Sequence, residues 1–274
     1  MTKLHIPSFV LSNGVEIPAL GLGTFPMSKK NASVTVDAAE KIGYRLFDTS
    51  SAYGNEAGIG KALWKESFVT TKISNRSQKR GTVWLDFQKS RIRLRRGVID
   101  LVLLHWPYPE KFSESWAVLE GLYRRGVCRA IGVSNFKMHH LEELRDTAKI
   151  MPMVNQFERH PMYSQSELVE YCKENNIIPE AYTPFARMDA RLIDDERVCK
   201  IASHHQKKPT QIILRWNYQH GVIAIPKSES PKRMEENASI FDFELSEAEM
   251  GILDSMDCGM RVRYDSDNCD FDQL

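Results

Sequence analysis

The sequence predicts a (β/α)8 barrel, the TIM-barrel form of the α/β class. Short apolar segments recur at roughly regular spacing, a segment of helical periodicity follows nearly every one, and several apolar segments are continuous rather than alternating. A strand that is covered on both faces has this continuous pattern, and the strands of parallel sheets are covered on both faces. The predicted strands are Ala19–Leu22, Leu46–Thr49, Phe68–Thr71, Leu101–Leu104, Ala130–Val133, Met153–Gln156, Ile178–Ala181 and Val222–Ile225.

Ahead of the first of these strands, Asn13-Gly14 lies between short apolar pairs and predicts an N-terminal β-hairpin with a type I′ turn. Among the intervening segments, 115–125 and 166–175 carry apolar residues at i, i+3 and i+4 and are predicted helices. An open doubly wound sheet is the competing architecture, but the segment that begins at Gly21 lacks the third glycine of its G-x-G-x-x-G turn.

The bulk composition fits this architecture. A chain of 274 residues with 42% hydrophobic and 27% charged residues suits one large soluble barrel. No linker or composition break divides it, so we expect a single domain over residues 1–274. The net charge of about +1 creates no field toward nucleic acid or a membrane, and we expect neither as a partner. The densest basic run, Arg91 to Arg96, is interrupted by Ile92 and Leu94 and predicts an exposed helix with a packed apolar side.

Cysteine usage indicates the compartment. The five cysteines are scattered, odd in number and without a C-x-x-C pair, which favours free thiols in a reducing environment. The first residues lack the apolar stretch of a signal peptide. We therefore expect a cytoplasmic protein. We also expect a monomer.

Polar side chains follow the ends of most predicted strands. In a barrel, the carboxyl ends of all strands face one mouth, so residues far apart in sequence converge there. Taken singly, each has an ordinary interpretation: Tyr53 as a packed aromatic, Lys72 as a solvated strand end, His105 as a satisfied structural histidine. The polar positions after the strands are Asp48, Lys72, His105, Ser134, Asn135, Gln156, Tyr182 and Lys227.

Taken together, these positions resemble the aldo-keto reductase family. The resemblance is carried, in order and over about nine tenths of the chain, by GLGTF, DTSSAYGNE, TTK, HWP, GVSNF, VNQFERHP, IPKSESPKRMEEN and FDFELSEAE. It implies NADPH-dependent reduction of small aldehydes or ketones to alcohols, with Tyr53, Lys72, Asp48 and His105 as the catalytic set.

Elementary chemistry agrees with these roles. A free phenol has a pKa near 10, and a neighbouring ammonium stabilises phenolate, so Lys72 is expected to bring the acidity of Tyr53 toward working pH. Asp48 is expected to pair with Lys72, since an unpaired buried ammonium is costly. His105 is expected to orient the substrate carbonyl.

The resemblance also implies the contacts of cofactor and substrate. Ser134, Asn135 and Gln156 match positions that bind the nicotinamide carboxamide, and Tyr182 matches a ring stacked on the nicotinamide. A cation pair with hydroxyls suits a 2′-phosphate, whereas an NAD site typically places a carboxylate on the ribose. Lys227 and Arg233, together with Ser228 and Ser230, match the family's 2′-phosphate clamp, and Glu236 and Asn237 match its adenine contacts. The remaining implied cofactor contacts are Gly23, Thr24, Asp48, Thr183 and Phe185. The implied substrate contacts are Phe25, Tyr53, His105 and Trp106, bordered by a variable C-terminal loop at 259–274.

One departure from the family opens an alternative. The segment KALWKES, which starts at Lys61, is shorter than the helix and loop usual before the TTK strand. A displaced Lys72 would leave a cofactor-binding barrel with weak or no turnover, because small misplacements matter in catalysis.

Two other kinds of site are not expected. The pairs His139-His140 and His204-His205 are adjacent, so we expect their rings to face apart and to bind no metal. A hydrolase with paired carboxylates is disfavoured because Asp194-Asp195 and Glu235-Glu236 are neighbours in sequence and cannot readily straddle a scissile bond.

Overall fold

The computed structural model describes residues 4–273 of the chain. Eight parallel strands form one sheet in which each strand pairs with the next along the chain. Bridges from Leu20 to Ala224 and from Gly23 to Lys227 join the last strand to the first, so the sheet closes and the predicted (β/α)8 barrel is confirmed. The barrel strands are β3 (Gly21–Gly23), β4 (Leu46–Asp48), β5 (Phe68–Ile73), β6 (Ile99–Leu104), β7 (Cys128–Ser134), β8 (Val154–Glu158), β9 (Ile178–Tyr182) and β10 (Ile223–Ala224).

The predicted N-terminal hairpin is present, but its turn is not type I′. Strands β1 (Ser8–Val10) and β2 (Glu16–Pro18) pair antiparallel. Leu11 N–H donates to Val15 O (2.9 Å), and within this loop only Gly14 has a positive φ, of 84°. A type I′ turn needs positive φ at both central residues. The loop instead has three residues, and glycine supplies the one left-handed position at its end.

The helices alternate with the barrel strands. Both predicted helices are confirmed, with their ends shifted by a few residues. None of the helices within residues 4–273 is long and apolar enough to cross a membrane. They are α1 (Lys29–Ile42), α2 (Glu56–Ala62), α3 (Asn75–Lys79), α4 (Val83–Leu94), α5 (Phe112–Arg124), α6 (Met138–Arg145), α7 (Ser166–Glu174), α8 (Ala190–Ile193), α9 (Glu196–His204), α10 (Pro209–Gln219), α11 (Pro231–Ala238) and α12 (Glu247–Asp254).

The continuous apolar strands are buried on both faces, as their pattern predicts. Every residue of β6 is buried, including both directions of its side-chain alternation. The basic run at the end of α4 follows the prediction only in part. Leu94 is fully buried, whereas Ile92 is 77% exposed and does not belong to the packed side.

Helix α2 has only seven residues, in agreement with the shortened segment in the sequence. It packs closely against the start of α1. A Cβ on Gly58 would overlap the carbonyl oxygen of Lys29, so only glycine permits this approach. After α2, the backbone N–H of Trp64 and the hydroxyl of Ser67 both donate to Glu40, which fixes the short connection to β5.

Candidate active site

Four side chains from three consecutive strand ends meet at the mouth of the barrel. Asp48 ends β4, Tyr53 lies in the following loop, Lys72 lies near the end of β5, and His105 follows β6 directly. The Nζ of Lys72 lies 2.6 and 2.7 Å from the two carboxylate oxygens of Asp48 and 3.5 Å from the hydroxyl of Tyr53. The same hydroxyl lies 3.4 Å from Nε2 of His105. The short α2 therefore does not separate Lys72 from Tyr53.

Burial dominates the electrostatics of these groups. It raises the pKa of Tyr53 above the usual phenol value, and the positive charge of Lys72 lowers that pKa only in part. The expectation that Lys72 lowers the pKa of Tyr53 below the usual phenol value is therefore not met. The cost of burying a phenolate exceeds the attraction of the ammonium. Burial also disfavours the charged form of Lys72, but Asp48 and Tyr53 outweigh it, and the pKa of Lys72 lies above its usual value.

His105 is held as a neutral ring. Burial, followed by the charges of Lys72 and Arg263, lowers its pKa well below the ordinary histidine value. Its Nδ1 lies 3.2 Å from the hydroxyl of Ser50. When that hydroxyl donates to Nδ1, the ring carries its proton on Nε2, the nitrogen that faces Tyr53.

A second polar cluster lies beside the pair of Lys72 and Asp48. The side-chain Nε2 of Gln156 donates to Asp48 Oδ2 (2.9 Å) and to Glu180 Oε1 (2.7 Å). The side-chain amide oxygen of Gln156 is left to accept from another donor. Burial, and then the charge of Asp48, raises the pKa of Glu180 to about 8. Glu180 is fully buried and its second oxygen has no hydrogen-bond partner among the described residues.

The side chains predicted around the nicotinamide lie next to this cluster. The Ser134 hydroxyl donates to Gln156 O (3.0 Å), and Asn135 Nδ2 donates to the carbonyl oxygen of His105 (3.0 Å). The hydroxyl of Tyr182, at the end of β9, donates to Asn135 Oδ1 (2.6 Å). The predicted carboxamide and ring-stacking residues thus share one wall of the mouth.

Four further predicted cofactor positions lie at or just after the carboxyl ends of β3 and β9. Thr24 is fully buried and donates its hydroxyl hydrogen to Asp48 O (2.8 Å), and Gly23 forms the bridge to Lys227 that closes the barrel. Thr183 follows β9 with a φ of 51°, and Phe185 packs against the core.

The predicted phosphate-binding residues lie at the start of α11. The Ser230 hydroxyl caps this helix by accepting from the Arg233 N–H, and the Ser228 hydroxyl accepts from the Ser230 N–H. Lys227 is paired with the carboxylate of Glu229 (2.5 Å). Arg233 has no ion pair among the described residues. The cations are therefore present, but one of them already has an acidic partner.

The predicted adenine contacts occupy the last turns of α11. Glu236 pairs with Lys208 (2.5 Å), and Asn237 is buried. Both lie on the same helix as Arg233, at the opposite end from its cap.

The substrate side of the mouth combines two predicted residues with the C-terminal tail. The ring of Phe25 is 47% exposed and lies 4.9 Å from the ring of Tyr53, centroid to centroid. Trp106 is buried, and its ring meets Phe271 of the tail edge-on at 6.4 Å. Farther along the tail, Asp272 contacts Lys79 and Tyr108. The end of the tail thus borders the mouth beside Trp106 and Tyr108.

Several residues of the site were missed by reasoning from the sequence. The signal for Glu180 was available, because a carboxylate inside an otherwise apolar parallel strand is costly to bury and therefore indicates a candidate site. Glu158, at the end of the preceding strand β8, carries the same signal and accepts from the N–H groups of Val262 and Arg263. Ser50 and Arg263 carry no comparable signal, since a loop serine and a tail arginine are ordinary surface residues.

The expectation that the adjacent histidines face apart is wrong. The rings of His139 and His140 lie 4.0 Å apart and share Asp267, and those of His204 and His205 lie 4.8 Å apart and share Glu249. Each group brings three potential ligand atoms within 4.8 Å of one another.

Comparisons with known proteins agree with this geometry. The Aldo/keto reductase family model matches residues 19–257. Glyoxal reductase of Bacillus subtilis is 47% identical over 92% of this chain and 93% of that protein, and methylglyoxal reductase DkgA of Salmonella typhimurium is 36% identical over 94% and 96%. The structure of a Bombyx mori aldo-keto reductase in complex with NADP superposes with a TM-score of 0.89, at 30% identity over 96% of this chain and 97% of that chain. This chain therefore belongs to the aldo/keto reductase family and is an oxidoreductase acting on carbonyl groups.

Proposed function

We propose that this protein reduces aldehydes or ketones to alcohols with NADPH, and that Tyr53 is the proton donor. The observation that carries the proposal is the position of the Tyr53 hydroxyl, 3.5 Å from Lys72 Nζ and 3.4 Å from His105 Nε2. A carbonyl oxygen held between Tyr53 and His105 would accept one hydrogen bond from each. The relatives named as glyoxal and methylglyoxal reductases support small dicarbonyls as the first substrates to assay.

The chain's own groups account for the proton. As the carbonyl carbon gains hydride, its oxygen takes the proton from the Tyr53 hydroxyl, and the phenolate left behind is stabilised by the ammonium of Lys72. Asp48 keeps Lys72 charged and in place, and solvent later returns the proton to Tyr53. His105, neutral and protonated on Nε2, would orient the carbonyl without itself giving up a proton.

The residues present fit a nicotinamide dinucleotide phosphate. Both side-chain N–H groups of Gln156 donate to the carboxyl groups of Asp48 and Glu180, so its side-chain amide oxygen can accept from a carboxamide amino group. At the other end, Lys227, Arg233 and the start of α11 form a cationic set with hydroxyls and helix N–H groups, which suits a phosphomonoester. Such a cofactor, when bound, supplies the hydride.

The reason for the alternative, a barrel without useful turnover, no longer holds. It depended on displacement of Lys72 by the short segment before β5, and Lys72 Nζ lies within 3.5 Å of the Tyr53 hydroxyl. We further propose that the chain acts as one barrel domain, as a monomer and in the cytoplasm.

The test is steady-state oxidation of NADPH with methylglyoxal, glyoxal and an aromatic aldehyde, for the native protein and two variants. Tyr53→Phe should lower kcat by about 10²–10⁴-fold, because general acid catalysis contributes this much, and should leave the dissociation constant of NADPH nearly unchanged. Tyr123→Phe is the control, since the Tyr123 hydroxyl on α5 accepts from Asn13 Nδ2 (3.3 Å) of the N-terminal hairpin, away from the mouth. Near-native kcat in Tyr53→Phe would remove the phenol from the mechanism.

A further inference from the structure

The C-terminal tail places a positive charge without an acidic partner at the rim of the mouth. The guanidinium carbon of Arg263 lies 5.9 Å from the ring centroid of Phe25 and 5.4 Å from that of Tyr264. The ring of Phe25 also contacts that of Tyr53. No carboxylate of residues 4–273 forms an ion pair with this guanidinium. Its environment within the protein is therefore aromatic, and its N–H groups are available to a ligand.

The position of Arg263 is fixed by its backbone. The buried carboxylate of Glu158, at the end of β8, accepts from Val262 N–H (2.7 Å) and from Arg263 N–H (2.9 Å). This two-point attachment ties the tail to the barrel at the residue that carries the charge. A group preorganised in this way loses less entropy when it binds an anion than a side chain on a free tail would.

The neighbouring cations are arranged differently. Arg261 pairs with Asp265 (2.7 Å) and also donates to the hydroxyl of Tyr163. Lys137 pairs with Asp265 and Asp267, and Lys72 pairs with Asp48. Of these cations around the mouth, Arg263 is the one whose charge is not compensated.

We propose that Arg263 binds an anionic group of the substrate, and that the protein prefers carbonyl compounds that carry a carboxylate about one aromatic ring away from the reacting carbon. Phe25 contacts both the guanidinium of Arg263 (5.9 Å) and the ring of Tyr53 (4.9 Å), which limits their separation to about the width of one ring on either side and disfavours 2-oxo acids, whose carboxylate adjoins the carbonyl. Planar guanidinium and carboxylate groups match in a bidentate geometry. The inference rests on the proposed reduction and specifies its substrate class.

The test compares two aldehydes of similar shape, 4-carboxybenzaldehyde and 4-nitrobenzaldehyde, at saturating NADPH. The ratio of their kcat/KM values cancels the loss of general activity in a variant. We expect Arg263→Gln to lower this ratio by about 10–100-fold, the effect of losing one charged hydrogen-bonding partner. Arg261→Gln is the matched control in the same tail, and it should change the ratio by less than about 3-fold, because a loosened tail affects both aldehydes alike. An unchanged ratio in Arg263→Gln would overturn the inference.

A binding measurement separates this inference from the proposed function. If neither aldehyde is reduced, the reduction is wrong, but 4-(hydroxymethyl)benzoate should still bind more tightly than 4-nitrobenzyl alcohol, and Arg263→Gln should abolish the difference. Quenching of tryptophan fluorescence can report binding, because Trp106 lies at the mouth. Equal binding of the two alcohols to the native protein would refute a role for Arg263 in anion recognition whatever the outcome of the kinetic assay.

Discussion

The contribution of the Lys72 charge to turnover can be worked out from the distances in the site. Lys72→Met keeps most of the side-chain volume but removes the ammonium that lies 3.5 Å from the Tyr53 hydroxyl. With an effective dielectric constant of about 20, a full charge pair at this distance is worth about 5 kcal/mol. If the phenol oxygen carries about half a negative charge in the transition state, the loss is roughly 2 kcal/mol, or about 30- to 60-fold in kcat.

The single variant should lose more than this, because it leaves the Asp48 carboxylate buried without its cation and close to the developing phenolate. We therefore expect kcat of Lys72→Met to fall by about 10²–10³-fold. The double variant Asp48→Asn/Lys72→Met removes both charges, and its kcat should fall only by the 30- to 60-fold of the missing ammonium. The double variant should therefore have a higher kcat than the single variant, and this order tests the electrostatic reasoning more sharply than either kcat value alone.

The assay is kcat at pH 7 with saturating NADPH and methylglyoxal, accompanied by denaturant unfolding of each variant. Breaking a buried pair costs about 3–5 kcal/mol of the free energy of unfolding, whereas the double variant should lie close to the native value. If Lys72→Met does not fold, the double variant still carries the test. A kcat within 3-fold of native in the double variant, or a double variant slower than a folded single variant, would refute the reasoning.

Two further predictions concern the cofactor clamp and the buried carboxyl. Lys227→Ala should weaken NADPH binding by about 10–100-fold and NADH binding by less than about 3-fold. Glu229→Gln frees Lys227 from its ion pair and should tighten NADPH binding a few-fold. Equal losses of affinity for the two cofactors in Lys227→Ala would contradict a phosphate clamp. Because burial raises the pKa of Glu180 from 4.5 to about 8, the unfolded chain releases this proton first, and the free energy of unfolding should fall as pH rises through that window. The free energy of unfolding of Glu180→Gln, measured with urea, should therefore rise relative to that of the native protein by up to about 1.4 kcal/mol per pH unit between about pH 5 and 8. If the difference between the two free energies does not change with pH, Glu180 does not titrate in this way.

The barrel could be predicted because parallel strands buried on both faces are continuous apolar runs, as in Leu101–Leu104. The turn at Gly14 was mispredicted for a local reason. An Asn-Gly pair permits a type I′ turn, but a three-residue loop with one left-handed glycine satisfies the same strand ends. Exposed Ile92 shows a second limit, since a periodic pattern does not say which apolar residue of a helix the neighbouring elements cover.

The site was predictable to the extent that it follows from strand ends. Asp48, Lys72 and His105 converge because the ends of parallel strands must share a mouth, and this holds without knowledge of side-chain positions. The acidity of Tyr53 could not be predicted, because it depends on the balance between burial and a charge at 3.5 Å. The path of the tail was also unpredictable, since it follows from contacts such as Glu158 with the Arg263 N–H that join residues 105 positions apart.

The ionisation states of the groups at the mouth depend on one another. If Glu180 were ionised, the single ammonium of Lys72 would face two buried carboxylates, and a phenolate on Tyr53 would add a third negative charge to the same space. With Glu180 neutral, as its raised pKa implies below about pH 8, Lys72 and Asp48 cancel, and a phenolate adds only one charge. Arg263 then gives the rim an excess of positive charge, and this charge lowers the pKa of Tyr53 and of His105 alike. The same excess that favours an anionic substrate therefore also stabilises the phenolate that proton transfer leaves behind.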